Sequence, residues 1–250
     1  MDFRKVFDRI PEEFDRWRPR YCKALFDDVT AAAGLAPGKT VLEIGPGTGQ
    51  ATEPILKTGC DYTAIELGEH LTAFMREKFD RYKNFSIVND DFETHDFGKE
   101  TFDLVYSAAA IQWIPEKTAF SKTYEMLKPG GVLAMFLTRS EYQSSDPALY
   151  DRIQEVYSEY FHPEQNYSCR LAYENAQDYG FAPLERREYH AQRILTADEY
   201  AAFSATHCDH IVLEEPYRTK FFDGLRKAVL DAGNRIVFND TFVLYLTRKP

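Results

Sequence analysis

The sequence predicts an α/β fold: a mostly parallel sheet with helices on both faces. Three observations carry that prediction. Short apolar segments at 41–44, 62–66, 85–88, 102–106 and 132–137 alternate with helix-length segments of mixed character. That is the pattern of strands buried on both faces and joined by crossover helices. The first apolar segment runs into three alternating glycines, Gly45, Gly47 and Gly49, which let a backbone turn sharply and a ligand come close. The second segment ends in an acid, Glu66, about twenty residues later, where a carboxylate can hold a ribose diol.

The elements follow in order. Residues 1–19 read as an aromatic and charged arm closing on Arg18-Pro19. Pro19 suits the first turn of a helix over 20–33, whose apolar side is Tyr21, Leu25, Phe26 and Val29. Gly34 and Pro37-Gly38 end that helix, and the first strand follows. A crossover helix over 50–58 stops near Gly59, strand two spans 62–66, and a helix spans 69–81. Phe85, Ile87 and Val88 mark strand three, and 102–106 strand four. A helix over 118–128 leads through Pro129-Gly130-Gly131, read as a tight turn, into strand five from Val132 to Leu137. Connections should be right-handed.

The rhythm breaks over 140–180, a segment rich in tyrosine that includes Tyr142, Tyr157 and Tyr167. It reads as a helical insertion after strand five, with helices over 147–161 and 169–179. It is too small for a core of its own and suited to roofing a pocket on the acceptor side. Residues 183–190 form a strand, and Thr196 with Glu199 forms a capping box for a helix over 197–206. Pro216 precedes a helix over 217–231, closed near Gly233. The stretch 235–246 is a final strand pair or one long bent strand, giving an antiparallel edge. The expectation is one domain over 1–250, with seven strands and an N-terminal lid or helix over 1–33.

Bulk properties exclude several classes. A chain of 250 residues with 44% hydrophobic and 28% charged content can bury a full core. Its formal charge of -10 is spread along the chain and repels DNA and anionic membranes. No nucleic-acid or membrane partner is expected; the one basic cluster is Arg16, Arg18 and Arg20. Cys22, Cys60, Cys169 and Cys208 form no C-x-x-C pair, so free thiols and no metal are expected. The opening Met-Asp-Phe-Arg-Lys lacks an apolar signal region, and no apolar run reaches membrane-spanning length. A cytoplasmic monomer or homodimer is expected.

The run Val41-Leu-Glu43-Ile-Gly45-Pro46-Gly47-Thr48-Gly49 is not a dinucleotide fingerprint, because Gln50 stands at the third small position. Nor is it a phosphate-binding P-loop, because no Gly-Lys-Ser/Thr follows. An acid, one apolar residue and Gly-x-Gly-x-Gly resemble the first motif of the class I S-adenosylmethionine-dependent methyltransferases. The resemblance extends through Glu66, Asp91-Phe92 and Leu127-Lys-Pro-Gly-Gly-Val132. It implies a Rossmann-like sheet, S-adenosyl-L-methionine as cofactor and S-adenosyl-L-homocysteine as product. By the same resemblance Gly45, Pro46, Gly47, Thr48 and Gly49 cradle the methionine part, and Glu43 organises that loop through water or the ligand's ammonium. Glu66, followed by Leu67, takes the ribose hydroxyls; a carboxylate suits this, having two acceptor oxygens and no donor. Asp91, or Asp90 one position earlier, meets the adenine amine, and Phe92 packs near the ring. In the loop from Ser107 to Trp113, Ser107 and Ala108 let the sulfonium lie against backbone. Gln112 contacts the ligand by its amide, and Trp113 walls the pocket.

Phe14-Asp-Arg-Trp-Arg-Pro-Arg-Tyr21 resembles the Tyr-Asp-x-x-Arg-Pro-x-Tyr stretch of a small-molecule branch that includes proteins similar to trans-aconitate methyltransferase. Phe14 replaces the usual Tyr, and Cys22 stands where Pro often follows. Arg18 and Tyr21 are the lid candidates. The implied reaction is in-line methyl transfer to a small-molecule acceptor, without metal and without an assigned catalytic residue, since alignment supplies much of the acceleration. A carboxylic acid acceptor would need Arg18, Arg139 or Arg170; an amine or phenol would need a base such as His162, His190 or a tyrosinate. Tyr142 is a further acceptor-side candidate. His207 and His210 fit one face of a helix or its end, which is too little for a metal assignment. Three other readings stand beside this one. A catalytically silent cofactor-binding or scaffold protein would keep the same residues. An RNA methyltransferase could use the tyrosines for stacking but has no basic stripe. An NAD-linked oxidoreductase is opposed by Gln50.

Overall fold

The computed structural model describes residues 2–163 and 170–250. Tyr167 and Cys169, and with them the start of the helix expected over 169–179, lie outside the described residues. A 3-10 turn over Phe3–Arg9 leads into α1 (Pro11–Trp17) and α2 (Lys23–Ala33). Then come β1 (Thr40–Ile44), α3 (Thr52–Leu56), β2 (Asp61–Glu66), α4 (Glu69–Lys78), β3 (Phe85–Asn89) and β4 (Phe102–Ala108). The chain continues through α5 (Glu116–Met126), β5 (Leu127–Glu141), α6 (Pro147–Tyr160) and β6 (Glu185–Leu195). It closes with α7 (Ala197–Ser204), α8 (Cys208–Ile211), α9 (Tyr217–Asp231) and β7 (Ile236–Arg248).

The seven strands lie in the order β3-β2-β1-β4-β5-β7-β6. β1 pairs in parallel with β2 and β4, β2 with β3, and β4 with β5. The edge beyond β5 is antiparallel: Gly130 donates to the carbonyl of Lys249, and Lys249 donates back to Gly131. The Rossmann-like sheet with an antiparallel edge is therefore present.

Three local readings need correction. The N-terminal arm is helical: Asp2 caps the 3-10 turn through the Arg4 amide, and Pro11 occupies the first turn of α1. The mixed aromatic and charged pattern hid that periodicity. Pro19 precedes α2, which begins at Lys23 after Cys22. Pro129-Gly130-Gly131 is no separate turn; it is absorbed into β5, where the two-residue step of β4 from Phe102 to Leu104 faces the five-residue step from Leu127 to Val132. Gly130, at φ 77°, supplies the bend of this bulge. The final segment is a single strand, β7, the second of the two forms expected.

By contacts the chain forms two units. One comprises Pro19–Thr138, Cys169–Tyr189 and Phe242–Pro250; the other comprises Met1–Arg18, Arg139–Ser168 and His190–Thr241. The 140–180 segment is thus divided between them. In the first unit each face of the sheet carries a core. Val41, Tyr62, Tyr106 and Phe136 lie in one, and Leu42, Ile65, Val105 and Phe120 in the other. In the second unit Leu149, Ile153, Phe203, Phe221, Leu225 and Phe238 form a separate apolar cluster.

Candidate functional site

The parallel strands of the first unit end together, and their carboxyl ends gather most of the candidate residues. β1 stops at Ile44 beside Ile65, and β2 stops at Glu66 beside Asn89. Gly45, Gly47 and Gly49 all take positive φ, open to glycine at little cost. At Gly45 space forbids anything else, since an added Cβ would lie 2.5 Å from the Cβ of Ala110. The Gly47 amide donates to Glu66 Oε2 at 3.0 Å, and the Gly68 amide donates to Oε1 at 3.0 Å. Glu66 is therefore the joint between the glycine bend and the start of α4. A carboxylate offers about four acceptor sites, and these two amides take one each. Thr48 is turned inward, its Oγ1 accepting from Gln50 at 2.6 Å and its carbonyl from Lys78 at 2.7 Å. Pro46 is buried and Leu67 half-buried.

Asp90 is exposed; one oxygen accepts from the Asp91 amide at 2.8 Å, and the other meets His95 Nδ1 at 2.8 Å. Asp91 accepts from the Glu93 amide at 2.9 Å, and Phe92 is buried. The Asp90 amide donates to the Glu66 carbonyl at 3.1 Å, which brings this loop onto the end of β2. Ser107 is tied to β1, its hydroxyl donating to Ile44 at 2.9 Å. Beyond Ala108 the chain turns through Ala109, a non-glycine residue at φ 57°. Gln112 donates from Nε2 to the Ala109 carbonyl at 3.0 Å. Its Oε1 is buried and accepts no hydrogen bond from any described residue. Trp113 is half-buried in a 3-10 turn.

Glu43 lies wholly inside, 0% exposed. Oε2 accepts from Thr52 Oγ1 at 2.5 Å and from the Tyr62 hydroxyl, which in turn shares a hydrogen bond with the Tyr106 hydroxyl. Oε1 is buried and has no hydrogen-bond partner among the described residues. Burial pushes the Glu43 carboxyl up to about 7, against the opposing pull of the three hydroxyls. The two tyrosines were absent from the sequence-derived site. Their signal was a hydroxyl-bearing ring at an inward position of two buried strands, with Glu43 in register beside Tyr106.

The lid and acceptor candidates separate. Tyr21 packs its ring 4.9 Å from Phe136 and 5.6 Å from Phe242, within the first unit. Arg18, Arg139 and Tyr142 belong to the second unit. There Arg18 lies 5.1 Å from the Phe14 ring, Arg139 is exposed, and Tyr142 packs on Phe238, Tyr150 and Tyr200. His207 and His210 are held below the ordinary histidine range, first by burial and then by neighbouring charge, including Arg18. His210 meets the Ser204 carbonyl through Nδ1 at 2.7 Å, so Nδ1 carries the proton and Tyr157 donates to Nε2 at 3.1 Å. His162 and His190 are exposed. Among the described residues no group of three or more His, Cys, Asp or Glu could hold a metal, and no helix is long and apolar enough to cross a membrane.

Residues 42–135 match the family described as a methyltransferase domain. The chain is thus similar to a methyltransferase domain over that stretch. It is 26% identical over 149 residues to demethylmenaquinone methyltransferase of Tropheryma whipplei (strain Twist), covering 54% of this chain and 58% of that protein. It is 31% identical over 141 residues to malonyl-[acyl-carrier protein] O-methyltransferase of Marinomonas sp. (strain MWYL1), covering 55% and 51%. The chain thus spans little more than half the length of these curated relatives. A solved phosphoethanolamine N-methyltransferase 2 of Haemonchus contortus, bound to phosphomonomethylethanolamine and S-adenosylhomocysteine, shares the fold. Its TM-score is 0.59 at 17% identity, over 99% of this chain and 60% of that one. That protein was solved with S-adenosylhomocysteine, and the residues at the strand ends of this chain suit such a ligand chemically. They offer carboxylates, glycine backbone open to close approach, and the buried acceptor Oε1 of Gln112.

Proposed function

We propose that this protein transfers a methyl group from S-adenosylmethionine to a small-molecule acceptor. The observation that supports it best is the meeting of the glycine bend with Glu66 at the ends of parallel strands, inside the stretch that matches the methyltransferase domain. In this reading Glu66 holds the ribose hydroxyls, Asp91 and Phe92 take the adenine, and Gln112 accepts from the cofactor through Oε1. Gly45 to Gly49 leave room for the methionine part, with Glu43 behind them.

The bound cofactor supplies a methyl group on a positively charged sulfur, with a neutral sulfide as leaving group. The chain then needs to align an acceptor and keep water out. Trp113 and Tyr21, on the first unit, are proposed to recognise the acceptor; Arg18, Arg139 and Tyr142, on the second unit, are separate candidates, each to be tested by its own substitution. A carboxylic acid is the first acceptor class to test. A carboxylate is already a nucleophile at neutral pH, and the similar malonyl-[acyl-carrier protein] O-methyltransferase is an O-methyltransferase by name.

The test is a methyl-transfer screen over carboxylic acids, amines and phenols, read by release of S-adenosylhomocysteine. Turnover with at least one small acid supports the reading. Cofactor binding without turnover of any acceptor class would favour a silent binding protein instead.

A further inference from the structure

Beneath the glycine bend, two hydroxyls donate to one oxygen of a buried acid, and a third stands behind them. Thr52 from α3 and Tyr62 from β2 both donate to Glu43 Oε2, and Tyr106 from β4 lies against the Tyr62 hydroxyl. Because the Tyr62 proton goes to Glu43, the Tyr62 oxygen is the acceptor in its bond with Tyr106. The Tyr106 oxygen is also 3.4 Å from the Ala51 carbonyl. With Glu43 ionised, these protons run toward Oε2. With Glu43 protonated, the chain can reverse, Oε2 donating to Tyr62, Tyr62 to Tyr106 and Tyr106 to the Ala51 carbonyl, and Oε1 stays a buried oxygen with no described partner. When Glu43 is ionised, Oε1 is a buried acceptor without a donor, which is costly. Neither state is satisfied by the protein alone.

We propose that cofactor binding is coupled to the release of one proton from the Glu43 carboxyl. The inference rests on the proposed cofactor site. S-adenosylmethionine carries an ammonium and a sulfonium, and a positive charge near a buried carboxyl favours its ionised form. The carboxyl O–H bond breaks, the proton passes to solvent buffer, and the charge left on the carboxylate faces the cation directly or through a water. The groups acting on Glu43 are Thr52, Tyr62 and Tyr106; Cys60, just ahead of β2, acts on Tyr106. All are neutral at physiological pH, so the bound cation is the group able to shift this equilibrium. The Glu43 carboxyl sits near 7 in the ligand-free protein, so at pH 7 about half a proton should leave per cofactor bound.

The experiment is titration calorimetry of S-adenosylmethionine and S-adenosylhomocysteine in buffers of different ionisation enthalpy, between pH 5.5 and 8. The wild-type enthalpy should depend on the buffer, reporting about half a proton released near pH 7. The Kd should fall up to tenfold per pH unit below that point. In Glu43→Gln the proton release should vanish and the Kd become flat with pH. Tyr62→Phe removes a donor to the ionised form, so its release should persist with the midpoint moved to higher pH. This second variant decides the matter if Glu43→Gln does not fold. Wild-type binding with no buffer dependence would overturn the inference and leave the cofactor site standing. So would proton release unchanged in Glu43→Gln, which would belong to another group, or a midpoint unmoved in Tyr62→Phe. Failure of the wild type to bind either compound would overturn the site itself.

Discussion

Glu66 and Glu43 are two acids on adjacent strands with opposite surroundings. Glu66 sits at a strand tip and accepts two backbone amides. Glu43 sits mid-core with a single satisfied oxygen. Their substitutions should therefore read out differently. Glu66→Gln keeps an acceptor but loses the charge, and should weaken S-adenosylhomocysteine binding about tenfold by calorimetry, the loss of a charge-assisted contact. Glu43 should instead govern stability. Its folded value near 7 lies above the ordinary 4.5, so the folded state holds the extra proton between those values. The stability that proton confers is complete below about pH 4.5 and gone above about pH 7, a swing of about 3 kcal/mol. Thermal melts of wild type minus Glu43→Gln should show that decline in the ligand-free protein; a flat difference would contradict the assigned burial. The spacing of Gly47 and Glu66 made their meeting legible in the sequence. The convergence of Tyr62 and Tyr106 on Glu43 was not legible, because it depends on which face each residue of three strands presents.

At the scale of elements, the glycine bend is the part least tolerant of change. Gly45→Ala combines a left-handed backbone, costing roughly 1–2 kcal/mol, with a clash against Ala110. It should lower the melting temperature and weaken cofactor affinity together. At the opposite ends of the strands, Asp103 clamps β4 to β1 and β5. It accepts from Thr40 through both amide and hydroxyl, and from Lys39 and Lys128. Burial pushes its carboxyl up, but those donors outweigh burial and hold it well below the ordinary 3.8. Its contribution is present above that ordinary value and is lost as pH falls through the folded one. Asp103→Asn should therefore cost about 1–2 kcal/mol at pH 7 in denaturant melts, with little change in cofactor affinity. Elements with strong local signals were readable: Thr196 and Glu199 form the reciprocal cap of α7. The bulge in β5 was not, since Pro-Gly-Gly signals a turn locally and only pairing with β7 draws it into the sheet.

For the molecule as a whole, the methyltransferase match covers 42–135, inside the first unit. The second unit is assembled from three separated stretches of chain, which no local sequence pattern announces. Under the proposed function the first unit sets cofactor affinity, and the second unit's Arg139 is tested separately as an acceptor candidate. Arg139 is exposed, so Arg139→Ala should alter stability by less than about 0.5 kcal/mol. It should leave the Kd for S-adenosylhomocysteine unchanged while raising KM for a carboxylic acid acceptor. An unchanged KM would remove Arg139 from acceptor recognition.

The central claim is that the strand tips around Glu66 hold the nucleoside of S-adenosylmethionine. Calorimetry of S-adenosylhomocysteine against wild type and Glu66→Ala tests it most directly. The account predicts micromolar binding to the wild type, no binding of NAD, and at least tenfold weaker binding to Glu66→Ala when that variant melts as a folded protein. Absence of binding to the wild type, or equal affinity in a folded Glu66→Ala, would contradict it.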